Sequence, residues 1–210
     1  MLTLFFSPGA CSLAAHILLE ELGLPYEAQL VSLKDGAHKQ PAYLAINPQG
    51  KVPALRFADG WILTQNPAIL THLAGLAPEA GLLPAEPRQA ARALQIVASL
   101  SAEAHPAFGR VLKPAVFSAD EAHAPQIREK GRADFQAKLQ ELDAMLSADG
   151  PWALGSSYSY ADPFVHVFFR WASASQLDLA SLPRMARISA AILERPAARR
   201  AMVAEGLIEA

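Results

Sequence analysis

Hydrophobic period changes twice within residues 2–33, and this limits the folds open to the chain. Leu2 to Phe6 (LTLFF) is a run of strand formers closed by Ser7-Pro8-Gly9, a turn signal. From Cys11 onward, Leu13, Ile17 and Leu18 with Glu20 and Glu21 opposite predict an amphipathic helix, stopped by Gly23 and Pro25. Tyr26 to Leu33 (YEAQLVSL) reads as a second strand. Strands joined through a helix by short connections favour a parallel pair with a right-handed crossover.

Lys34 to Gln49 is polar and irregular, with Pro41 and Pro48. KVPALRF then reads as a strand, Asp59-Gly60 as a hairpin turn, and WILT as the returning strand. Asn66-Pro67 is a helix start: Asn is a good N-cap and Pro suits the first helical position. Ala68 to Ala74 supplies that helix. The order βαβ-ββα predicts a mixed four-stranded sheet with helices on its faces. Prolines recur between Ala77 and Arg88, so the expected domains are residues 1–78 and 88–210.

Beyond Arg88, strand signals nearly vanish. Arg88 to Lys113 is helical in character, with Pro106 expected to kink or split it. Ile127, Phe135, Leu139, Leu142 and Leu146 mark one face of a long helix. Tyr160 to Ala174 is apolar on nearly all sides, as in a buried helix. Ser159 with Asp162 three residues on reads as a variant capping box opening it, a structural feature rather than a catalytic one. Pro183 and Pro196 start two more helices, the last ending near Gly206. The class is therefore α/β followed by an all-α bundle of about five helices.

Composition narrows the function. The net charge of −2 argues against a nucleic-acid partner. No run of about 18 apolar residues predicts a membrane span. A single cysteine excludes an internal disulfide, and the six histidines show no metal-ligand spacing, so no metal is expected. PGAC faintly resembles a lipoprotein signal, but MLTLFFS lacks Lys and Arg and falls short of an apolar core of roughly 7–15 residues. A reducing, cytoplasmic setting is the expectation.

Three local features carry chemistry. Cys11 sits just after a strand, where unpaired N–H groups at a helix start favour a thiolate and lower the pKa; a buried inert cysteine is the alternative. Val52-Pro53, opening a strand after Gly50, is a candidate cis peptide, which would leave the Val52 backbone free to pair with an extended peptide. Gln65-Asn66 lie at a helix N-terminus, either as a plain cap or as an anion site. A small acidic peptide with its own thiol would match all three.

The segments LFFSPGACS, NPQGKVPAL, TQNPAIL and SYADPFVHVFFRW resemble the cytosolic glutathione S-transferases, most closely the bacterial beta class. The resemblance runs over essentially the whole chain. It implies a thioredoxin-like N-terminal domain, an all-helical C-terminal domain, a homodimer, and glutathione as co-substrate. It implies that Cys11 lies beside the glutathione sulfur and that Val52 and the cis Pro53 hold the cysteinyl part. Gln65 and Asn66 would take the γ-glutamyl end. Lys34 would reach the glycyl carboxylate, although its loop is one residue short. His105 would project toward the thiol, and Glu103 lies where a partner subunit contributes.

This chain departs from the family pattern in three places. Gln65 replaces the usual Glu, so the pairing with the γ-glutamyl ammonium weakens. Pro106 stands where a basic residue often follows the histidine. Phe6 stands where a tyrosine is expected, leaving Cys11, Ser12 and His105 as the catalytic candidates. Phe108, Val111, Leu112 and Phe117 are expected to wall an apolar co-substrate site between the domains, or to be bundle core. The expected activity is conjugation of glutathione to small hydrophobic electrophiles, with thiol–disulfide exchange through Cys11 as a second route. The rivals are a non-catalytic dimeric binding scaffold and a glutathione-dependent dehalogenase or isomerase.

Overall fold

The computed structural model describes residues 1–209. Strand β1 (Leu2–Phe6) pairs in parallel with β2 (Tyr26–Leu30), Leu2 opposite Tyr26 and Phe6 opposite Leu30. On its other side β1 is antiparallel to β3 (Ala54–Arg56), which pairs with β4 (Ile62–Thr64). The sheet order is β2-β1-β3-β4, a thioredoxin-like mixed sheet as expected. The irregular stretch before β3 is more ordered than its composition implies: it holds a short helix, α2 (Pro41–Leu44).

Helix α1 (Leu13–Leu22) differs from the amphipathic expectation. Every residue from Leu13 to Leu19 is buried, because α3 (Asn66–Leu76) packs against it together with α7 (Asp162–Ala174) and α9 (Pro196–Ala204) of the second half. Glu20 and Glu21 sit in its last turn and take the α9 side: Arg195 Nη2 donates to Glu21 Oε2 at 2.8 Å and Arg200 Nε to Glu20 Oε2 at 2.6 Å. One continuous apolar core therefore runs from Leu4 through Leu18 and Phe168 to Met202.

The second half contains helices α4 (Pro87–Ser99), α5 (His105–Leu112), α6 (Ala124–Met145), α7, α8 (Pro183–Leu193) and α9. This is six helices among the described residues rather than about five. The extra one arises at Pro106, where a wide π-type turn over Leu100–Ala104 separates α4 from α5. The wide turn tolerates a residue without an N–H where a regular helix would clash. Helix α6 crosses α5 at Gly131, where a Cβ would lie 2.7 Å from Arg110 Cβ. At the start of α7 the Asp162 carboxylate accepts from Ser159 N (2.8 Å), Ser159 Oγ (2.9 Å) and Ala153 N (2.6 Å). The Asp162 arm of the capping box is thus made, and it also ties down the loop at Ala153. Burial pushes the Asp162 carboxyl up to about 6 against these bonds.

The two halves meet most specifically at Gly9. Its N–H donates to Glu205 Oε2 at 2.8 Å, and its carbonyl accepts from Trp171 Nε1 at 3.0 Å. The second oxygen of Glu205 lies 2.9 Å from His16 Nδ1 on α1. Glu205 and His16 are both buried, so removing the carboxylate leaves His16 Nδ1 without its partner and frees the half-buried Gly9 N–H. Replacing Glu205 with Ala is expected to cost about 3 kcal/mol of stability, read as a lowered urea midpoint; an unchanged midpoint would show that the contact is incidental.

Candidate functional site

A cleft of about 1020 Å³ opens between the sheet domain and α5. That is the upper end of the range for small-molecule sites and leaves room for more than one small molecule. The loop Ser7–Cys11 forms its floor, residues 49–53 and 64–66 one wall, and His105, Phe108, Gly109, Leu112 and Lys113 the other. Of the sequence-predicted residues, Cys11, Lys34, Val52, Pro53, Gln65, Asn66, His105, Phe108 and Leu112 line it.

Cys11 is only 7% exposed, and its Sγ donates to the Val52 carbonyl at 3.3 Å. The expected lowering of its pKa is reversed. Burial pushes the thiol up to about 12, outweighing the Asn66 amide, nearby backbone N–H groups and the charge of Lys51. Helix α1 begins only at Leu13, so Cys11 sits outside the turn where the helix dipole is felt most. At neutral pH Cys11 is a neutral S–H donor.

Ser12 is fully buried and does not line the cleft. Its hydroxyl accepts from Ser7 N at 3.2 Å and donates to Ser7 O at 3.3 Å, closing the loop that carries Cys11. The fold makes Ser12 a brace for that loop, against the expectation of a reactive hydroxyl. His105 packs against Trp171 and Phe168, at centroid distances of 5.1 and 5.9 Å. Burial, and then the charge of Lys51, lower its pKa, so the ring is neutral at pH 7.

The Val52–Pro53 bond is cis. The carbonyl just before it, on Lys51, accepts from Tyr43 Oη and Asn47 Nδ2, both at 2.7 Å, which fixes the backbone entering Val52. Among the described residues the Val52 N–H has no partner. Asn66 does not cap α3 as expected. It is the first residue of the helix, and the Gln65 carbonyl accepts from Ile69 N at 3.0 Å in the capping position. The Asn66 amide instead donates to the Cys11 carbonyl at 3.2 Å, and its Oδ1 is buried without a partner. Gln65 holds a φ of 72°, a conformation that non-glycine residues adopt only when the surroundings impose it. Its side chain donates to Gln49 at 3.1 Å.

Besides Ser12, three sequence-predicted residues lie outside the cleft lining. Glu103, on the π-type turn, is exposed and pairs with Lys138 at 3.1 Å. The Val111 carbonyl accepts from Arg128 of α6, on the side of α5 turned from the cleft. Phe117 is half exposed beneath the Arg110 guanidinium, 5.4 Å from its centroid. Neither Val111 nor Phe117 lines the cleft. Sequence reasoning missed Trp171, which stacks on Phe108 with centroids 4.3 Å apart. It also missed Lys39, Lys51 and Lys113. With Lys34 they make four lysines on the cleft, none ion-paired and with no Asp or Glu beside them in the lining, among the described residues.

Comparison with known proteins places this geometry. Residues 8–76 match the family profile for the glutathione S-transferase N-terminal domain. The chain is 34% identical over 206 residues to the glutathione S-transferase GstA of Escherichia coli O157:H7, covering 97% of this chain and 98% of that one. It is 31% identical over 194 residues to a maleylacetoacetate isomerase of Pseudomonas aeruginosa, covering 90% of each. A glutathione transferase homologue from Sulfitobacter, crystallised with bound glutathione, superposes with a TM-score of 0.92 at 31% identity, covering 99% of both chains.

The protonated state of Cys11 is directly measurable. Alkylation by iodoacetamide at pH 7.5 is expected to run at least ~100-fold slower than for an exposed thiol, rising steeply only above about pH 10. Rapid labelling at pH 7.5 would mean that the thiol is ionised.

Proposed function

The chain belongs to the glutathione S-transferase family, close to its bacterial beta-class members, and from that premise we propose that it binds glutathione in the interdomain cleft and joins the glutathione sulfur to small electrophiles. The observation that carries this reading is the set of unmet groups around Cys11. The free Val52 N–H suits the main chain of an extended peptide, and the partnerless Asn66 Oδ1 with the start of α3 suits an amino-acid end. Lysines on the same wall suit carboxylates. Lys34, Val52, Pro53, Gln65 and Asn66 are the proposed binding residues, and Phe108 and Leu112 wall the space for the electrophile.

Glutathione supplies the nucleophilic sulfur; the chain orients it and holds charge near it. Cys11, being protonated, can turn its S–H from the Val52 carbonyl toward a sulfur in the cleft and favour that sulfur's anionic form. Lys51 contributes positive charge to the same neighbourhood, acting against burial at Cys11 and with it at His105. His105 serves as a neutral hydrogen-bonding group. A carbon–sulfur bond forms, the leaving group departs with its electron pair, and the thiol proton passes to solvent. A buried protonated Cys11 weighs against thiol–disulfide exchange, which requires an attacking thiolate. Glutathione-dependent isomerisation is the second reading, supported by the isomerase relative. The apolar face formed by the exposed Trp61 and Leu94 with the half-buried Leu63 and Pro67 is the proposed seat of a homodimer.

Calorimetric titration with glutathione and turnover of 1-chloro-2,4-dinitrobenzene test the assignment together. Binding in the micromolar to low millimolar range with turnover is expected; weaker binding without turnover would favour the scaffold reading. Gln65→Glu is expected to tighten glutathione binding by about 3- to 10-fold, by supplying a charge-assisted partner for the ammonium. Cys11→Ala is expected to lower kcat by about tenfold without abolishing it, and Cys11→Ser to recover part of the loss. Sedimentation should give the mass of two chains, and Trp61→Glu should give the mass of one.

A further inference from the structure

The charge on the cleft exceeds what glutathione uses. Glutathione bound as thiolate brings two carboxylates, a sulfur anion and one ammonium. Lys34, Lys39 and Lys51 line the cleft on the sheet-domain side, the side proposed for glutathione. Gln65 is uncharged, so nothing on this wall offsets the lysines. Lys113 belongs to the opposite wall. It terminates α5 one residue beyond Leu112, on the side of the cleft that carries Phe108, Gly109 and Trp171. Its charge is felt at His38 on the sheet-domain side, where burial first, and then the charges of Lys113 and Lys39, lower the histidine pKa.

Three further features bear on what meets Lys113. No Asp or Glu lines the cleft, and Lys113 has no ion-pair partner among the described residues. The other cations near the end of α5 are engaged: Arg110 lies over Phe117, and Arg128 donates to the Val111 carbonyl. His38 is 7% exposed, lines the same cleft, and has a buried Nδ1 without a partner. The helix end alone favours a cation at Lys113, but it does not account for an acid-free lining on both walls. Phe108 lines the same wall as Lys113 and is half-buried, its ring backed by the buried Trp171 at an interplanar angle of 13°.

We propose that the second substrate is an anionic electrophile, a flat conjugated or aromatic body carrying a carboxylate, with the body against Phe108 and the carboxylate received by Lys113. This rests on the assignment of glutathione to the sheet-domain side of the same cleft. Lys113 is a specificity-determining residue here; it selects the charge of the electrophile and takes no part in the bond change.

The test pairs a carboxylated probe with a neutral one, in binding and in turnover. Unreactive 3,5-dinitrobenzoate and 1,3-dinitrobenzene are titrated calorimetrically into the wild-type protein and into Lys113→Gln and Lys113→Arg, each with and without glutathione. The matched reactive pair is 4-chloro-3,5-dinitrobenzoate and 2-chloro-1,3-dinitrobenzene, with each rate taken relative to the uncatalysed reaction. The carboxylate is expected to bind about 5- to 10-fold more tightly than its neutral partner. Lys113→Gln should abolish that preference through KM while leaving the neutral substrate unchanged; Lys113→Arg should retain it, and 0.5 M salt should shrink it. Glutathione binding with no carboxylate preference overturns this proposal and leaves the glutathione assignment standing. A Lys113-dependent preference without glutathione binding supports the anion site and overturns the glutathione assignment. Equal loss of both probes in Lys113→Gln would make Lys113 a structural residue and also overturns the proposal.

Discussion

Gly9 is held at both of its polar backbone atoms by the helical half of the chain. Glu205 takes its N–H from 196 residues away, and Trp171 takes its carbonyl from 162 residues away. The loop so held carries Cys11 two residues later, so the position of the thiol is set by distant packing as much as by local turn chemistry. Gly9 adopts a φ of 67°, and a Cβ there would sit 3.4 Å from Leu207. A side chain at this point would meet both backbone strain and the C-terminal segment. Ser12 closes the same loop from within, through its two bonds to Ser7. The cleft has a defined floor because the helical half is docked.

That docking also sets the chemistry. Burial of Cys11 at the cleft floor raises its pKa, and burial of His105 against Trp171 and Phe168 lowers its own. Both groups are thus neutral near pH 7, one an S–H donor and the other an uncharged imidazole. The positive charge of the site comes from lysines at the rim, where water screens them until a ligand excludes it. A cleft of this kind binds anions and lets the bound molecule carry the reactive charge. Gln65 fits the same pattern, since an amide there leaves the lysine-rich wall without a counter-charge.

Much of this architecture is legible in the residue pattern. The βαβ-ββα order follows from changes of hydrophobic period and from Asp59-Gly60; Pro183 and Pro196 mark helix starts; Asp162 ties the entry to α7. The misreadings have a common kind of cause, contacts between residues far apart in sequence or turned out of the local pattern. Leu13 to Leu19 look amphipathic beside Glu20 and Glu21, yet the helix is covered on all sides. A lone cysteine before a helix reads as an activated thiol, because the burial that raises its pKa is tertiary and leaves no mark near residue 11. Trp171 reads as core because its helix is apolar throughout, and only the crossing of α7 over the loop shows its indole N–H reaching Gly9. Val111 and Phe117 lie near Phe108 and Leu112 in sequence but leave the cleft, since the helix turns one towards α6 and the chain beyond α5 carries the other to the surface. Lys113 shows no periodic signal at all; its meaning emerges when the opposite wall is in place.

The central claim is that an extended thiol peptide lies along Val52 with its sulfur beside the protonated Cys11. A crystal structure of the protein grown with glutathione tests this most directly. It should show the main chain of the ligand paired with the Val52 N–H and its sulfur within about 4 Å of Cys11 Sγ. Glutathione bound elsewhere, or the Val52 edge left bare at saturating ligand, would contradict it.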